Sequence, residues 1–172
     1  METTSTYWWV ARTRHGREIG VRDRLSDLGV EHFIPTTRRR ATRGRRMVET
    51  PVINSLVFLR ATRQEALDLV HFKGVQADYL FDCATRSLMV VPDKQMEDFR
   101  RTLDASLDEG GLIDFPLSVG EWVRVTRGAL RGVEGRVLEL QGKTYVVVGL
   151  MDCLFAKARV PRAWLEKINT PR

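Results

Sequence analysis

Three histidines, two cysteines and a dense run of arginines are the residues of this 172-residue chain whose side chains invite a chemical reading. His15, His32 and His71 have no i, i+4 spacing to one another and no cysteine pattern beside them, so spacing encodes neither a zinc site nor a nucleophile–base triad. Cys83 and Cys153 stand far apart without a CxxC pair, which argues against a disulfide framework and for a reducing compartment. Neither a GxxxxGKS/T nor a GxGxxG phosphate loop is present. These absences lead us to expect no enzyme, no cofactor and no metal. The remaining feature is TTRRRATRGRRMVE, residues 36–49, which places Arg38, Arg39, Arg40, Arg43, Arg45 and Arg46 in nine positions without an acid among them. Guanidinium forks bind phosphate and position a protein on a polyanion without reading sequence. Such a run is a disordered basic arm, a solvated loop with no partner, or a hairpin tip held against a polyanion.

The flanking elements decide between these. YWWVAR, residues 7–12, reads as a short buried strand, since aromatic and β-branched residues suit a pleated surface. In HGREIGVRDRLSDLG the period changes: Val21, Leu25 and Leu28 recur at i, i+4 and i+7, and Gly29 offers a left-handed stop. This predicts an amphipathic helix leading into a strand at VEHFI. After the arginine run, PVINSLVFLRA reads as another strand, so the run is anchored at both ends and a hairpin tip is favoured over a free tail. A net charge of +6 and a pI near 9.8 point the same way, towards nucleic acid or an anionic assembly. The opening METTST carries no lysine or arginine before its short apolar run, which lacks the n-region and the length of a signal peptide or membrane span. A cytoplasmic protein with no membrane partner is expected.

Further on, Thr62 stands three residues before Glu65, a capping box that opens a second helix at TRQEALDLV. YLF and SLMVV read as short strands. Met96, Phe99, Leu103 and Leu107 share one face of a third helix that starts at Pro92 and Asp93. Strands alternating with three helices predict one α/β layer. Residues 108–117, DEGGLIDFPL, read as a linker. EWVRVT, EGRVLELQ, KTYVVVGL and AKARVP are then four strand-like runs with no helical period, the pattern of a small β-barrel.

The segment VRVTRGALRGVEGRVLEL resembles a KOW motif, with Gly128, Gly132 and Gly135 at its turns. WWVARTRHGRE, FIP, the basic hairpin and PVINSLVFL together resemble the NGN domain of the NusG family of transcription elongation factors. The resemblance runs from Tyr7 to Ile168 in the order NGN, linker, KOW. It implies an α+β fold: an NGN-type α/β sandwich over 7–107, a linker over 108–117 and an SH3-like KOW β-barrel over 118–168. Where NusG usually carries an FPGY-like segment this chain has Ile53, Asn54, Ser55 and Leu56, which resembles the specialised paralogues that act as antiterminators of bacterial capsular polysaccharide operons.

Several roles follow from that resemblance. It implies a contact of the NGN domain with the clamp helices of the largest RNA polymerase subunit through Trp8, Val52, Ile53, Leu56 and Phe58. Such apolar anchors dominate many interfaces, but the same residues also suit a core. Alternation along a strand separates Ile53 from Val52, Leu56 and Phe58 unless the segment bends near Asn54. The resemblance further implies that Arg38, Arg39, Arg40, Arg43, Arg45 and Arg46 lie near upstream DNA of the elongation complex, and that Arg14, His15 and Arg24 match the surface that relatives use on the non-template strand. Arg14 and His15 sit at the start of the first helix, where backbone amides also favour an anion. In the KOW half, Phe155 matches a phenylalanine that meets ribosomal protein S10 or Rho, with a barrel-core ring as the alternative. A monomeric antitermination factor is the expected function; a KOW-containing RNA- or ribosome-binding protein is the alternative.

Overall fold

The computed structural model describes residues 5–106, 111–113, 120–151 and 153–169. The chain divides into two compact units, Met1–Val91 and Pro92–Arg172.

In the first unit, β1 (Tyr7–Arg12) carries four consecutive buried residues, Trp8 to Ala11, so both of its faces are covered. Helix α1 (Glu18–Asp27) turns Val21 and Leu25 inward and is stopped at Gly29, whose φ of +66° suits a residue without Cβ. Strand β2 (Glu31–Phe33) follows, then β3 (Thr36–Arg40) and β4 (Met47–Pro51), which pair as a hairpin. Strand β5 (Leu56–Ala61) leads into α2 (Arg63–His71), and β6 (Asp78–Tyr79), β7 (Phe81–Asp82), β8 (Ser87–Leu88) and β9 (Val90–Val91) complete the unit. The main sheet runs β2-β5-β1-β6, with β9 also paired to β1.

One face of this sheet, with Trp9, Ala11, Val57, Leu59 and Ala61, packs on Val21 and Leu25 of α1 and Ala66 and Leu69 of α2. The capping box of α2 forms as expected: Glu65 N–H donates to Thr62 Oγ1 at 3.3 Å while Thr62 N–H donates to Glu65 Oε2 at 2.9 Å. The expected single strand from Pro51 to Ala61 is instead broken. Residues 52–55 bend, Ser55 takes a φ of +61°, and the strand restarts at Leu56. That bend frees Ile53 from the alternation of its neighbours.

The second unit opens with α3 (Asp93–Asp104), which buries Met96, Phe99 and Leu103. Leu107 and most of the expected linker over 108–117 lie outside the described residues; Leu112–Ile113 form β10. Then come β11 (Trp122–Val125), β12 (Glu134–Leu140), β13 (Lys143–Leu150), β14 (Leu154–Arg159) and β15 (Leu165–Lys167). All pair antiparallel in the order β10-β14-β13-β12-β11-β15. Its core is built from alternate residues such as Val123, Val146, Val148, Leu150, Ala156 and Ala158.

The boundary between the units falls before α3, whereas the sequence places a domain boundary after 107. Helix α3 packs on β13 and β14 and is also bonded to the loops and strands of this unit: Lys94 Nζ donates to Gly132 O at 2.9 Å, Gln95 Nε2 to Gly149 O at 2.8 Å, and Arg101 Nη2 to Ala129 O at 2.7 Å. Of the motif glycines, Gly128 lies in a turn at φ +77° against the Trp164 ring. Gly135 is not in a turn. It sits within β12, where a Cβ would meet Val147 O at 2.4 Å, so close strand packing is what requires glycine there.

Candidate nucleic-acid interface

The arginine run spans one strand and the tip of a hairpin. Arg38, Arg39 and Arg40 lie exposed on β3, and Arg43, Arg45 and Arg46 are exposed in the connection, which is closed by Ala41 N–H donating to Arg46 O at 3.0 Å. The base of the hairpin is tied down by Glu49 on β4. Its carboxylate accepts from both Nη atoms of Arg22 on α1 and, at 2.5 Å, from Thr36 Oγ1. The Arg22 guanidinium first, and then Thr36, hold the Glu49 carboxyl below its usual range. Glu49 also faces Arg38 in the register. The six arginines therefore project from a strand pair fixed to α1 at its base.

Arg14 and His15 are exposed in the loop between β1 and α1. Below them Glu18 has no exposed surface; its Oε1 accepts Ser55 N–H at 2.8 Å and lies 3.8 Å from His15 Nδ1. Burial alone would push this carboxyl up. The amides of Ser55, Glu18 and Gly16, together with His15, outweigh it and hold the carboxyl below its ordinary value. The amides expected to attract an external anion at this helix start thus face the chain's own carboxylate. Arg24 is exposed, and its Nε donates to Lys73 O at 2.9 Å, which fastens α1 to the loop after α2. Next to that carbonyl, Phe72 is 83% exposed. Sequence reasoning missed Glu18, the Arg22–Glu49 tie and Phe72. The first two are long-range pairs, and an isolated aromatic at a helix end carries no periodic signal.

The apolar set is placed differently from a single open patch. Trp8 (3% exposed), Ile53 (2%) and Phe58 (0%) are buried, while Val52, the first residue of the bend, and Leu56, which follows it, are half-buried. Trp8 and Phe58 lie on the sheet face opposite Trp9 and Leu59, where Phe58 meets Phe33 with ring centroids 6.2 Å apart. In the second unit Phe155 is half-buried and pairs with Gly149. A Cβ on Gly149 would lie 3.1 Å from the Phe155 ring, so the ring lies across the glycine. Alternation puts Phe155 on the opposite face from the core residues Val148 and Ala156.

Among the described residues no group of three or more metal-ligating side chains could hold a metal, and no helix is long and apolar enough to cross a membrane. Comparison with curated proteins finds no match. A solved structure titled "Domain interaction in Thermotoga maritima NusG" is similar at 20% identity and a TM-score of 0.48, covering 96% of this chain and 98% of that one. A protein family described as "Transcription termination factor nusG" matches residues 6–100, more than half of the chain. The chain belongs to the NusG family, whose members are non-enzymatic transcription elongation and termination factors.

Proposed function

We propose that the protein is an operon-specific antitermination factor of bacteria, acting in the cytoplasm as a monomer. It rides RNA polymerase through an NGN-type domain over 7–107 and suppresses pausing or termination, with the KOW domain over 118–168 recruiting a second partner. RNA polymerase is the partner that family membership implies. The clamp helices of its largest subunit are the proposed contact, made by the half-buried Val52 and Leu56, with the buried Trp8, Ile53 and Phe58 as part of the same domain's core. The observation that carries the reading is the hairpin: six exposed arginines on a strand pair whose base is fixed to α1 by Arg22 and Glu49. A flexible solubility tail needs no such tie. Operon specificity rests on Ile53, Asn54, Ser55 and Leu56 in place of the FPGY-like segment, and on Arg14 and His15 for the non-template strand. For the KOW domain, ribosomal protein S10 or Rho meets Phe155.

Capture of purified core RNA polymerase by the tagged protein tests the reading. Retention of polymerase is expected, weakened when Val52 and Leu56 are changed to aspartate. A protein that retains ribosomal RNA and no polymerase is instead the KOW-type RNA binder.

A further inference from the structure

We infer that Phe72 is a stacking platform for a base of single-stranded nucleic acid, extending the strand path of Arg14 and His15. This rests on the nucleic-acid reading of that surface. The ring is 83% exposed, yet the backbone that carries it is fixed. Phe72 N–H and Lys73 N–H both donate to Asp68 O, at 2.9 and 3.0 Å, Val75 N–H donates to Leu69 O at 3.0 Å, and Val75 itself is buried. A ring on a fixed backbone has only two side-chain torsions to settle, so it loses little freedom when a flat partner lies on it.

The surroundings specify the partner. From Leu69 to Ala77 the chain reads LVHFKGVQA, without one acid. His71 lies with its ring centroid 6.2 Å from that of Phe72, Lys73 follows it, and Arg24 reaches Lys73 O through Nε. The nearby Asp68 carboxylate accepts from Gln64 Nε2 at 2.9 Å. An anchor for an apolar protein groove would be expected among other apolar side chains; here the exposed ring neighbours the His71 ring, Lys73 and Arg24. Stacking surfaces for single strands combine just these two features, a π-face for the base and cations for the backbone. A duplex offers no unpaired base face, so the strand must be single.

The same loop connects to the candidate set at two places. Thr13 Oγ1 donates to Gln76 O at 2.8 Å, directly before Arg14, and Arg24 holds Lys73. Phe72 is four residues from Gln76, which limits their separation to about 14 Å. That is within the span of a few nucleotides.

Titration of the full chain with short fluorescent single-stranded DNA, the matching RNA and the duplex tests this. Phe72→Ala is expected to weaken single-strand binding by between about fivefold and about 150-fold, the effect of removing one stack. The slope of log affinity against log salt should stay unchanged, because every phosphate partner is still present. Phe72→Trp should restore binding, and 2-aminopurine in the strand should lose its quenching only with Phe72→Ala. A DNA preference assigns the strand to the exposed non-template DNA, as the path of Arg14 and His15 requires, whereas an RNA preference keeps the stacking platform and removes its continuity with that path. The inference is overturned by a full chain that binds no single strand, by unchanged affinity in Phe72→Ala, or by Phe72→Leu binding as well as the parent. Polymerase capture together with a neutral Phe72→Ala removes this inference alone, whereas failure to capture polymerase removes the proposed function.

Discussion

Glu18 performs at the start of α1 the task that a bound anion performs elsewhere, and its carboxylate ties two loops together in doing so. Ser55 N–H reaches it at 2.8 Å while Ser55 O accepts Thr13 N–H at 3.0 Å, so the β1–α1 loop and the 52–55 bend are closed on each other. Ser55, at φ +61°, is held in a conformation that non-glycine residues seldom adopt. Glu18→Ala takes the partner from the half-buried Ser55 amide and should cost about 1.5–3 kcal/mol, the range for hydrogen bonds to charged groups. The carboxyl titrates lower folded than unfolded. Its contribution is therefore complete above its unfolded value, roughly pH 4.3, and is lost as pH falls through the folded value. Glu18→Gln should flatten the acid limb of a stability-versus-pH curve; an unaltered limb would show that the carboxylate charge is not what holds the bend. The start of α1 was legible from HGRE and its apolar spacing. A partner 37 residues away was not, because a helix pattern says nothing about what its first turn will face. Phe155 was ambiguous for a related reason: periodicity alone could not choose a face until the pairing with Gly149 set one. Since it lies off the core face, Phe155→Ala should cost about 1 kcal/mol rather than the roughly 3–5 of a deleted core ring, while titration with ribosomal protein S10 should show the larger loss. A collapsed melting temperature would return the ring to a structural role.

At the scale of elements, the β3–β4 hairpin was readable because both ends of the arginine run were anchored in extended sequence. Its orientation was not readable. That depends on Arg22 of α1 and on Glu49, which accepts from it across the chain, a pair that no local pattern marks. Changing Arg38, Arg39, Arg40, Arg43, Arg45 and Arg46 to alanine should lower affinity for the DNA of an elongation complex and reduce the logarithmic salt slope by about 0.9 for each phosphate no longer neutralised. An unchanged slope would make the run a solvated surface. Glu49→Ala separates charge from placement: it adds to the net positive charge, so a purely electrostatic arm would bind better, while an oriented hairpin should bind worse. The break at residues 52–55 was readable only as a condition, a bend near Asn54, because PVINSLVFLRA otherwise reads as one β-branched and aliphatic strand. Asn54 and Ser55 are turn residues that permit the bend, and Glu18 holds it by accepting Ser55 N–H.

For the whole molecule, the main question is the allegiance of α3. The family match extends to residue 100 and so takes in most of this helix, yet its side chains bond to the strands of the second unit. Asp98 is the centre of the contact: only 3% exposed, it accepts Glu134 N–H at 3.0 Å through Oδ2, with Lys94 on the same oxygen. Glu134 in turn takes Arg124 Nε at 2.9 Å. The apolar stripe of α3 was legible in the sequence, but the stripe names no partner, and the polar side chains that choose one have no period. The strands need no helix to be strands. Gly135 is fixed in β12 by its close approach to Val147, and each of Gly128, Gly132, Gly135, Gly142 and Gly149 would weaken a helix by about 1 kcal/mol. Fragments 112–172 and 92–172 should therefore both give β-type circular dichroism, the longer one with added helix. Each hydrogen bond from α3 is worth about 0.5–1.5 kcal/mol, so the longer fragment should melt clearly higher, and Asp98→Ala should remove much of the difference. A helical spectrum from 112–172 would show that this segment is not committed to strands. Equal melting temperatures would mean that α3 rests on the second unit without stabilising it, and that the domain does end after the helix, as the sequence suggests.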